Sequence, residues 1–198
     1  NLLDPRQRLC CVVKADAYGH GAVECAKIMY SAGADMFAVA TVNEGVGLRQ
    51  GGITKPVLIL SEPPIETIPA LLEFDIMPSV YTSDFALAYG ECAVAAGKVG
   101  KYHLAIETGM NRIGVRTEEE AQALTRLIDS LSGIELTGCF THMATADEDD
   151  PTGTLKQIAK FDVLCRAIKA VHPGRIVCHG ANTASIFRYP QLHADMVR

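Results

Sequence analysis

Short runs of apolar residues recur along the chain, each long enough for one buried strand. Eight such runs occur, at residues 9–14, 36–41, 57–60, 76–81, 102–107, 136–141, 175–178 and 195–198. Nearly continuous apolar runs of this length are typical of strands that are covered on both faces. We therefore predict eight buried strands, of which the last is only a stub.

The segments between these runs carry helical patterns, with apolar residues three or four positions apart. Thr41 with Glu44, and Thr117 with Glu120, have the spacing of capping boxes, while Gly33 and Gly97 stand where helices end. Strands that are separated by helices are joined by connections long enough for right-handed parallel crossovers. The pattern predicts an α/β protein with a parallel sheet.

Two parallel architectures compete, the doubly wound open sheet and the eight-stranded barrel. The open sheet usually has a Gly-x-Gly-x-x-Gly turn after its first strand, but residues 15–21 read Ala-Asp-Ala-Tyr-Gly-His-Gly. Eight strands favour a TIM-type (β/α)8 barrel, which usually takes about 250 residues. We expect residues 1–198 to form one such barrel domain, beginning near the first strand and incomplete at the C-terminal end.

Charge and composition exclude several classes of partner. The 18 Lys and Arg against 23 Asp and Glu give a net charge of −5 without long blocks of one sign, which disfavours nucleic acid and anionic lipid. No apolar run approaches the roughly 18 residues of a membrane span, so we expect no membrane contact by this segment. The seven cysteines lack the paired spacings of metal motifs, which predicts no metal site and a reducing, cytoplasmic compartment.

Polar side chains follow several of the predicted strands, at the rim where a barrel places its active site. Each residue by itself could have a purely structural role, since a strand-end lysine usually reaches into water and a single histidine is often a core residue. Their joint placement at one rim instead predicts an active site. The candidates are Lys14, Arg112, His142, Asn182, Thr183 and Arg198.

Five sequence blocks carry a family resemblance. Residues 12–21, Val-Val-Lys-Ala-Asp-Ala-Tyr-Gly-His-Gly, resemble the pyridoxal-phosphate lysine motif of bacterial alanine racemases, which are fold type III enzymes. Further blocks match in the same order: Glu-Thr-Gly-Met-Asn-Arg-Ile-Gly, Phe-Thr-His-Met-Ala-Thr-Ala-Asp, His-Gly-Ala-Asn-Thr-Ala-Ser and Asp-Met-Val-Arg. The resemblance covers essentially the whole chain and implies a barrel that binds pyridoxal 5'-phosphate.

The resemblance also implies a role for each matching residue. Lys14 would be the Schiff-base lysine and Arg198 would face the pyridine nitrogen, with His142 hydrogen-bonded nearby. The substrate side would be formed by Arg112, near the cofactor phenolic oxygen and the substrate carboxylate, together with Met110. The cofactor phosphate would be bound by Tyr18 and Thr183, and Asn182 would also contact the cofactor.

The residue chemistry agrees with racemisation. A lysine imine lets the cofactor act as an electron sink after Cα loses its proton. Arg198 can donate to the pyridine nitrogen but cannot readily protonate it, which suits a racemase better than an aminotransferase. In the family, a C-terminal β domain follows and places a tyrosine in the partner subunit's site. The resemblance thus implies a homodimeric full-length protein, and we expect residues 1–198 alone to be inactive.

One position departs from the family pattern. Many relatives have a carbamate-modified lysine two residues before the acidic residue of the Glu-Thr-Gly-Met block, where this chain has Ala105. We therefore expect another anion to face Arg112, because an unpaired buried guanidinium is costly.

The resemblance leaves more than one function open. The first hypothesis is an alanine racemase that supplies D-alanine for peptidoglycan. A serine racemase domain of the same fold and a non-catalytic barrel that carries the cofactor remain as alternatives. The Thr-Gly-Met and Thr-His-Met blocks favour a racemase over the carrier.

Overall fold

The structure, a computed structural model, describes residues 3–198. Its eight strands are parallel and lie in the order β3-β2-β1-β8-β7-β6-β5-β4. The strands are β1 Arg8–Val12, β2 Met36–Val39, β3 Val57–Ile59, β4 Ser79–Val80, β5 Gly100–Ala105, β6 Ile134–Phe140, β7 Val177–His179 and β8 Met196–Val197. The predicted TIM-type barrel is confirmed.

Helices connect these strands and cover the outside of the ring. They are α1 Lys14–Gly19, α2 Ala22–Ser31, α3 Val42–Gln50, α4 Ile68–Glu73, α5 Ser83–Ala95, α6 Glu118–Asp129, α7 Thr152–Val171 and α8 Thr183–Arg188. Short 3-10 helices occupy Ile65–Thr67 and Pro190–Leu192. Among residues 3–198, no helix has both the length and the apolar character needed to cross a membrane.

The ring of strands closes in two places, at the two-residue strand β8 and between β3 and β4. Met196 of β8 pairs with Arg8 of β1 and with His179 of β7. On the far side, the N–H of Met77 donates to the carbonyl of Val57 over 2.9 Å, which joins β3 to the segment before β4. The barrel in residues 3–198 is therefore nearly closed.

Apolar side chains fill the layer between strands and helices, while the barrel interior is divided. A small apolar cluster of Cys10, Met36, Ala38, Leu58, Met77 and Met196 fills part of the interior. His103, His179 and Arg198 are also buried, and they form a polar column inside the ring. The layered interior is normal for this fold, but a column of three buried basic side chains is not.

Several helix signals behave as the sequence predicts. Thr41 and Glu44 form a complete capping box at α3. Gly33 and Gly97 follow the ends of α2 and α5 with φ of +104° and +64°. At α6, Thr117 accepts from the N–H of Glu120, but the Glu120 carboxylate accepts from the residue before Thr117, so the second capping box is only half formed.

The first strand is shorter than its apolar run. It ends at Val12 rather than at Lys14, because α1 begins there with an unusual backbone. Ala15–Tyr18 all have φ between +49° and +55°, so α1 is one turn of left-handed helix. This conformation places Lys14 beyond the strand.

Candidate active site

One cavity opens at the carboxyl ends of the strands. Its volume is about 550 Å³, within the range of small-molecule and cofactor sites. All but one of the site residues predicted from the sequence line it. They are Lys14, Tyr18, Arg112, His142, Asn182, Thr183 and Arg198.

The exception is Met110. It lies in a small recess beside the cavity, which it shares with Arg112 and His142. The structure therefore places Met110 next to the predicted site without making it part of the cavity wall.

The turn that carries Lys14 is held by a carboxylate. A left-handed helical residue other than glycine costs roughly 1–2 kcal/mol, so the turn at Ala15–Tyr18 requires support from its surroundings. The Glu44 carboxylate accepts the N–H of Ala15 over 2.7 Å and the N–H groups of Ala40 and Thr41 over 2.7 and 3.1 Å. One side chain thus fixes the lysine turn and the start of α3 together.

Arg198 is buried and donates three hydrogen bonds to the protein, which leaves further N–H groups of the guanidinium available. Its Nη1 donates to Nδ1 of His179 over 3.1 Å, and its Nη2 donates to the Thr141 carbonyl over 2.8 Å and to Nδ1 of His142 over 3.3 Å. The guanidinium also lies 5.2 Å from the centre of the Phe140 ring. These contacts hold the head group in one orientation at the cavity wall.

The donor chemistry of Arg198 determines the tautomers below it. A guanidinium only donates, so Nδ1 of His179 must accept and the ring proton must be on Nε2. That Nε2–H donates to Nδ1 of His103 over 2.9 Å, which places the proton of His103 on its own Nε2. A chain of hydrogen bonds therefore runs from the cavity into the barrel.

Burial and positive charge keep the histidines neutral. Burial, followed by the charges of Arg198, Arg112 and Lys14, lowers the pKa of His142 to about 4. Burial, followed by Arg198, lowers the pKa of His103 to about 3. Burial also lowers the pKa of Arg198, but only to about 10, so this side chain keeps its charge at neutral pH. The site therefore contains a fixed cation surrounded by neutral imidazoles.

The loop that carries Arg112 is folded around Glu107. The buried carboxylate accepts the backbone N–H of Arg112 over 2.8 Å and that of Gly109. Burial alone would raise the pKa of Glu107, but bonds from the N–H groups of Arg112, Asn111 and Gly109 outweigh it and lower the pKa. Glu107 thus stays ionised and shapes the loop.

Arg112 itself differs from the expectation. Its side chain is exposed in the chain described, although Ala105 is buried in β5 as predicted. The argument for an obligatory anion depended on a buried guanidinium. It therefore does not apply to Arg112 in this structure.

Sequence reasoning missed the residues that support the site. Gln157 on α7 donates to Oγ1 of Thr108 and to the carbonyl of His142, each over 3.0 Å, and accepts the N–H of Ala144. Nothing in the helical pattern of α7 singles out this glutamine. Glu44 had a signal, its capping box, but that signal indicates only a helix start. The others missed are Glu107, His103 and His179.

The residues present fit pyridoxal phosphate. The cavity offers one primary amine at Lys14, a fixed cation at Arg198, and hydroxyl groups at Tyr18 and Thr183. An amine reacts with an aldehyde, a cation donates to a ring nitrogen, and hydroxyl groups bind phosphate oxygens. Largely apolar walls suit the flat ring.

Comparisons with known proteins agree with this geometry. The chain matches the family model described as "Alanine racemase, N-terminal domain" over residues 1–198. It is 42% identical over 187 residues to the alanine racemase of Carboxydothermus hydrogenoformans, covering 94% of this chain and 50% of that protein. It is 40% identical over 198 residues to alanine racemase 2 of Oceanobacillus iheyensis, again covering 50% of the relative. The chain thus spans about half the length of these relatives.

Solved structures give the same result. The alanine racemase of Clostridium difficile 630 in complex with cycloserine superposes with a TM-score of 0.96 at 39% identity, covering 100% of this chain and 54% of that one. The alanine racemase of Bacillus anthracis with bound L-Ala-P gives a TM-score of 0.92 at 32% identity, with coverage of 99% and 50%.

Proposed function

Since the chain belongs to the family of alanine racemase N-terminal domains, we propose that it forms the cofactor-binding barrel of a racemase that interconverts L-alanine and D-alanine. The observation that carries the proposal is the convergence of Lys14, Arg112, His142 and Arg198 on one cavity. The D-alanine would serve peptidoglycan synthesis in the cytoplasm.

Pyridoxal phosphate, when bound, supplies an electron sink for the electrons that Cα keeps after it loses its proton. Lys14 would attach the cofactor through its amine and, once released, would exchange the Cα proton on one face of the substrate. Tyr18 and Thr183 would bind the phosphate, and Asn182 would also contact the cofactor. The left-handed turn held by Glu44 positions the amine for this work.

Arg198 would face the ring nitrogen of the bound cofactor. Its Nη atoms already donate to three protein acceptors, which fix the guanidinium against rotation. Because an arginine keeps its proton, it can donate a hydrogen bond to the ring nitrogen without protonating it. An arginine at this position would leave the ring nitrogen unprotonated, which would favour return of the proton to Cα over its transfer to another carbon.

Racemisation needs an acid or base on each face of Cα. Lys14 serves one face in this proposal, and Arg112 binds the substrate carboxylate, with Met110 beside it. We assign the opposite face to a tyrosine of the second subunit in a homodimer, following the family resemblance.

The attachment at Lys14 is tested by borohydride reduction of the holoprotein followed by peptide mapping. We expect the pyridoxyl group on Lys14 and none in a Lys14→Ala variant. Lys27→Ala, on the exposed face of α2, is the matched control and should label like the wild type. Label on any other lysine of the wild type would refute the assignment.

The substrate is tested separately, by deuterium exchange at Cα. The full-length protein should exchange both enantiomers of alanine faster than those of serine. If serine exchanges faster, serine and not alanine is the substrate, and the proposed role of Lys14 is unaffected.

A further inference from the structure

Three cysteines that are distant in sequence meet outside the cavity. Cys139 lies on β6, Cys165 on α7 and Cys178 on β7. The sulfur of Cys139 is 3.6 Å from that of Cys165 and 3.6 Å from that of Cys178, and all three sulfurs lie within 4.8 Å of one another. All three residues are buried between the barrel and α7. We call them the thiol cluster.

The spacing of the thiol cluster matches a metal site. Sulfurs bound to one ion at about 2.3 Å lie about 3.8 Å apart in tetrahedral and about 4.0 Å apart in trigonal geometry. Two of the three sulfur pairs, at 3.6 Å, are a few tenths of an ångström short of these distances, and the third pair lies within 4.8 Å.

A cation lies beside the thiol cluster. The Lys169 side chain approaches the Cys178 sulfur. Lys169 lies one turn after Cys165 on α7 and is exposed, so the cluster has a charged group at its solvent side.

We propose that Cys139, Cys165 and Cys178 bind one soft, thiophilic metal ion through their three sulfurs. Thiolate ligands select Cu(I) and Zn²⁺ among biological ions. Within residues 3–198, no fourth His, Cys, Asp or Glu joins this group, whereas structural zinc takes four ligands. The site is therefore assigned to Cu(I).

The ion would join three elements that also build the active site. Side chains alternate along a strand, so Cys139 and Cys178 face α7 while their neighbours Phe140 and His179 face the interior. Phe140 stacks on His179, with 5.2 Å between ring centres, and both contact Arg198. The ion would fix β6 and β7 from the outside.

The test uses the full-length holoprotein, reduced and freed of metals under anaerobic conditions. Cu(I) is titrated in competition with a chelator, and Zn²⁺ is titrated in a separate experiment. We expect one Cu(I) per chain and X-ray absorption showing three sulfur neighbours. Failure to retain Cu(I), a coordination shell without three sulfurs, or preference for Zn²⁺ would overturn the proposal.

Alanine variants test whether these three cysteines are the ligands of the ion. Cys139→Ala, Cys165→Ala and Cys178→Ala should each weaken Cu(I) binding by on the order of 10²-fold. Cys25→Ala and Cys92→Ala, on helices away from the cluster, are matched controls and should bind as the wild type does. Unchanged affinity in the cluster variants would overturn the proposal. If a cluster variant does not fold, the X-ray absorption of the wild type still decides.

Discussion

Acid should destabilise the barrel through the histidines that its interior keeps neutral. Burial lowers the pKa of His103 to about 3, whereas the unfolded chain gives this ring its ordinary value near 6.5. Between these values the unfolded state binds a proton that the folded state does not. The contribution of the neutral His103 ring to the free energy of unfolding is therefore fully present above pH 6.5. It is lost as the pH falls towards 3.

The magnitude follows from those two pKa values. Between pH 7 and pH 5, proton linkage at His103 alone removes about 2 kcal/mol from the free energy of unfolding. His179 is shifted in the same direction, first by burial and then by the charge of Arg198. His142 adds less than its pKa suggests, because it is partly exposed and solvent screens its charge.

The assay is urea unfolding of the apoprotein at pH 7 and at pH 5. In His103→Gln the amide oxygen can still accept from Nε2 of His179, so this variant removes the titrating group but keeps an acceptor. Its loss of stability between the two pH values should be about 2 kcal/mol smaller than that of the wild type. His20→Gln, at an exposed position, is the control and should not change the loss. An equal loss in His103→Gln and wild type would refute the reasoning.

Three further substitutions test the supports of the site. Glu44→Gln should cost about 1–3 kcal/mol in urea unfolding and weaken cofactor binding in a fluorescence titration, because its carboxylate accepts three backbone N–H groups. Gln157→Leu should cost about 1–3 kcal/mol by the same assay and raise the KM for alanine, since buried partners lose their bonds. Gly114→Ala should lower the melting temperature by calorimetry, at a cost above about 2 kcal/mol, because φ is +113° and a Cβ would lie 2.8 Å from the backbone of Ala105. Gly47→Ala, in open space on α3, is its control and should be neutral or stabilising.

The fold was predictable because strands buried on both faces leave nearly continuous apolar runs. Strand ends were less predictable, as Lys14 shows. The apolar run extends past Val12, and nothing in the pattern marks four successive left-handed residues. Only the motif at residues 12–21, with its two glycines, hinted at a special backbone. The Glu44 bond that holds this turn spans 29 positions, so local pattern could not reveal it.

The site residues also fall into two groups, those that the sequence predicts and those that it does not. Residues that end strands could be found, because parallel strands bring their carboxyl ends to one rim. Gln157 and His103 could not, since one lies in mid-helix and the other is inside a strand, where sequence suggests core packing. Their roles depend on bonds that cross 49 positions from Thr108 and 76 positions to His179. Such partners are defined only once the barrel has formed.

The thiol cluster shows why short sequence spacings do not reveal which side chains meet in a barrel. Metal motifs are recognised by short spacings because a loop or a helix turn brings those ligands together. In a parallel barrel, neighbouring strands are instead joined through a helix, so residues in lateral contact are many positions apart. Cys139 and Cys178 are register partners on β6 and β7, and Cys165 lies on the helix that connects these strands. One β-α-β unit therefore supplies all three sulfurs, and its inner face supplies the ring stack against which Arg198 lies. Because both faces belong to the same two strands, a ligand that restrains one face must also restrain the other.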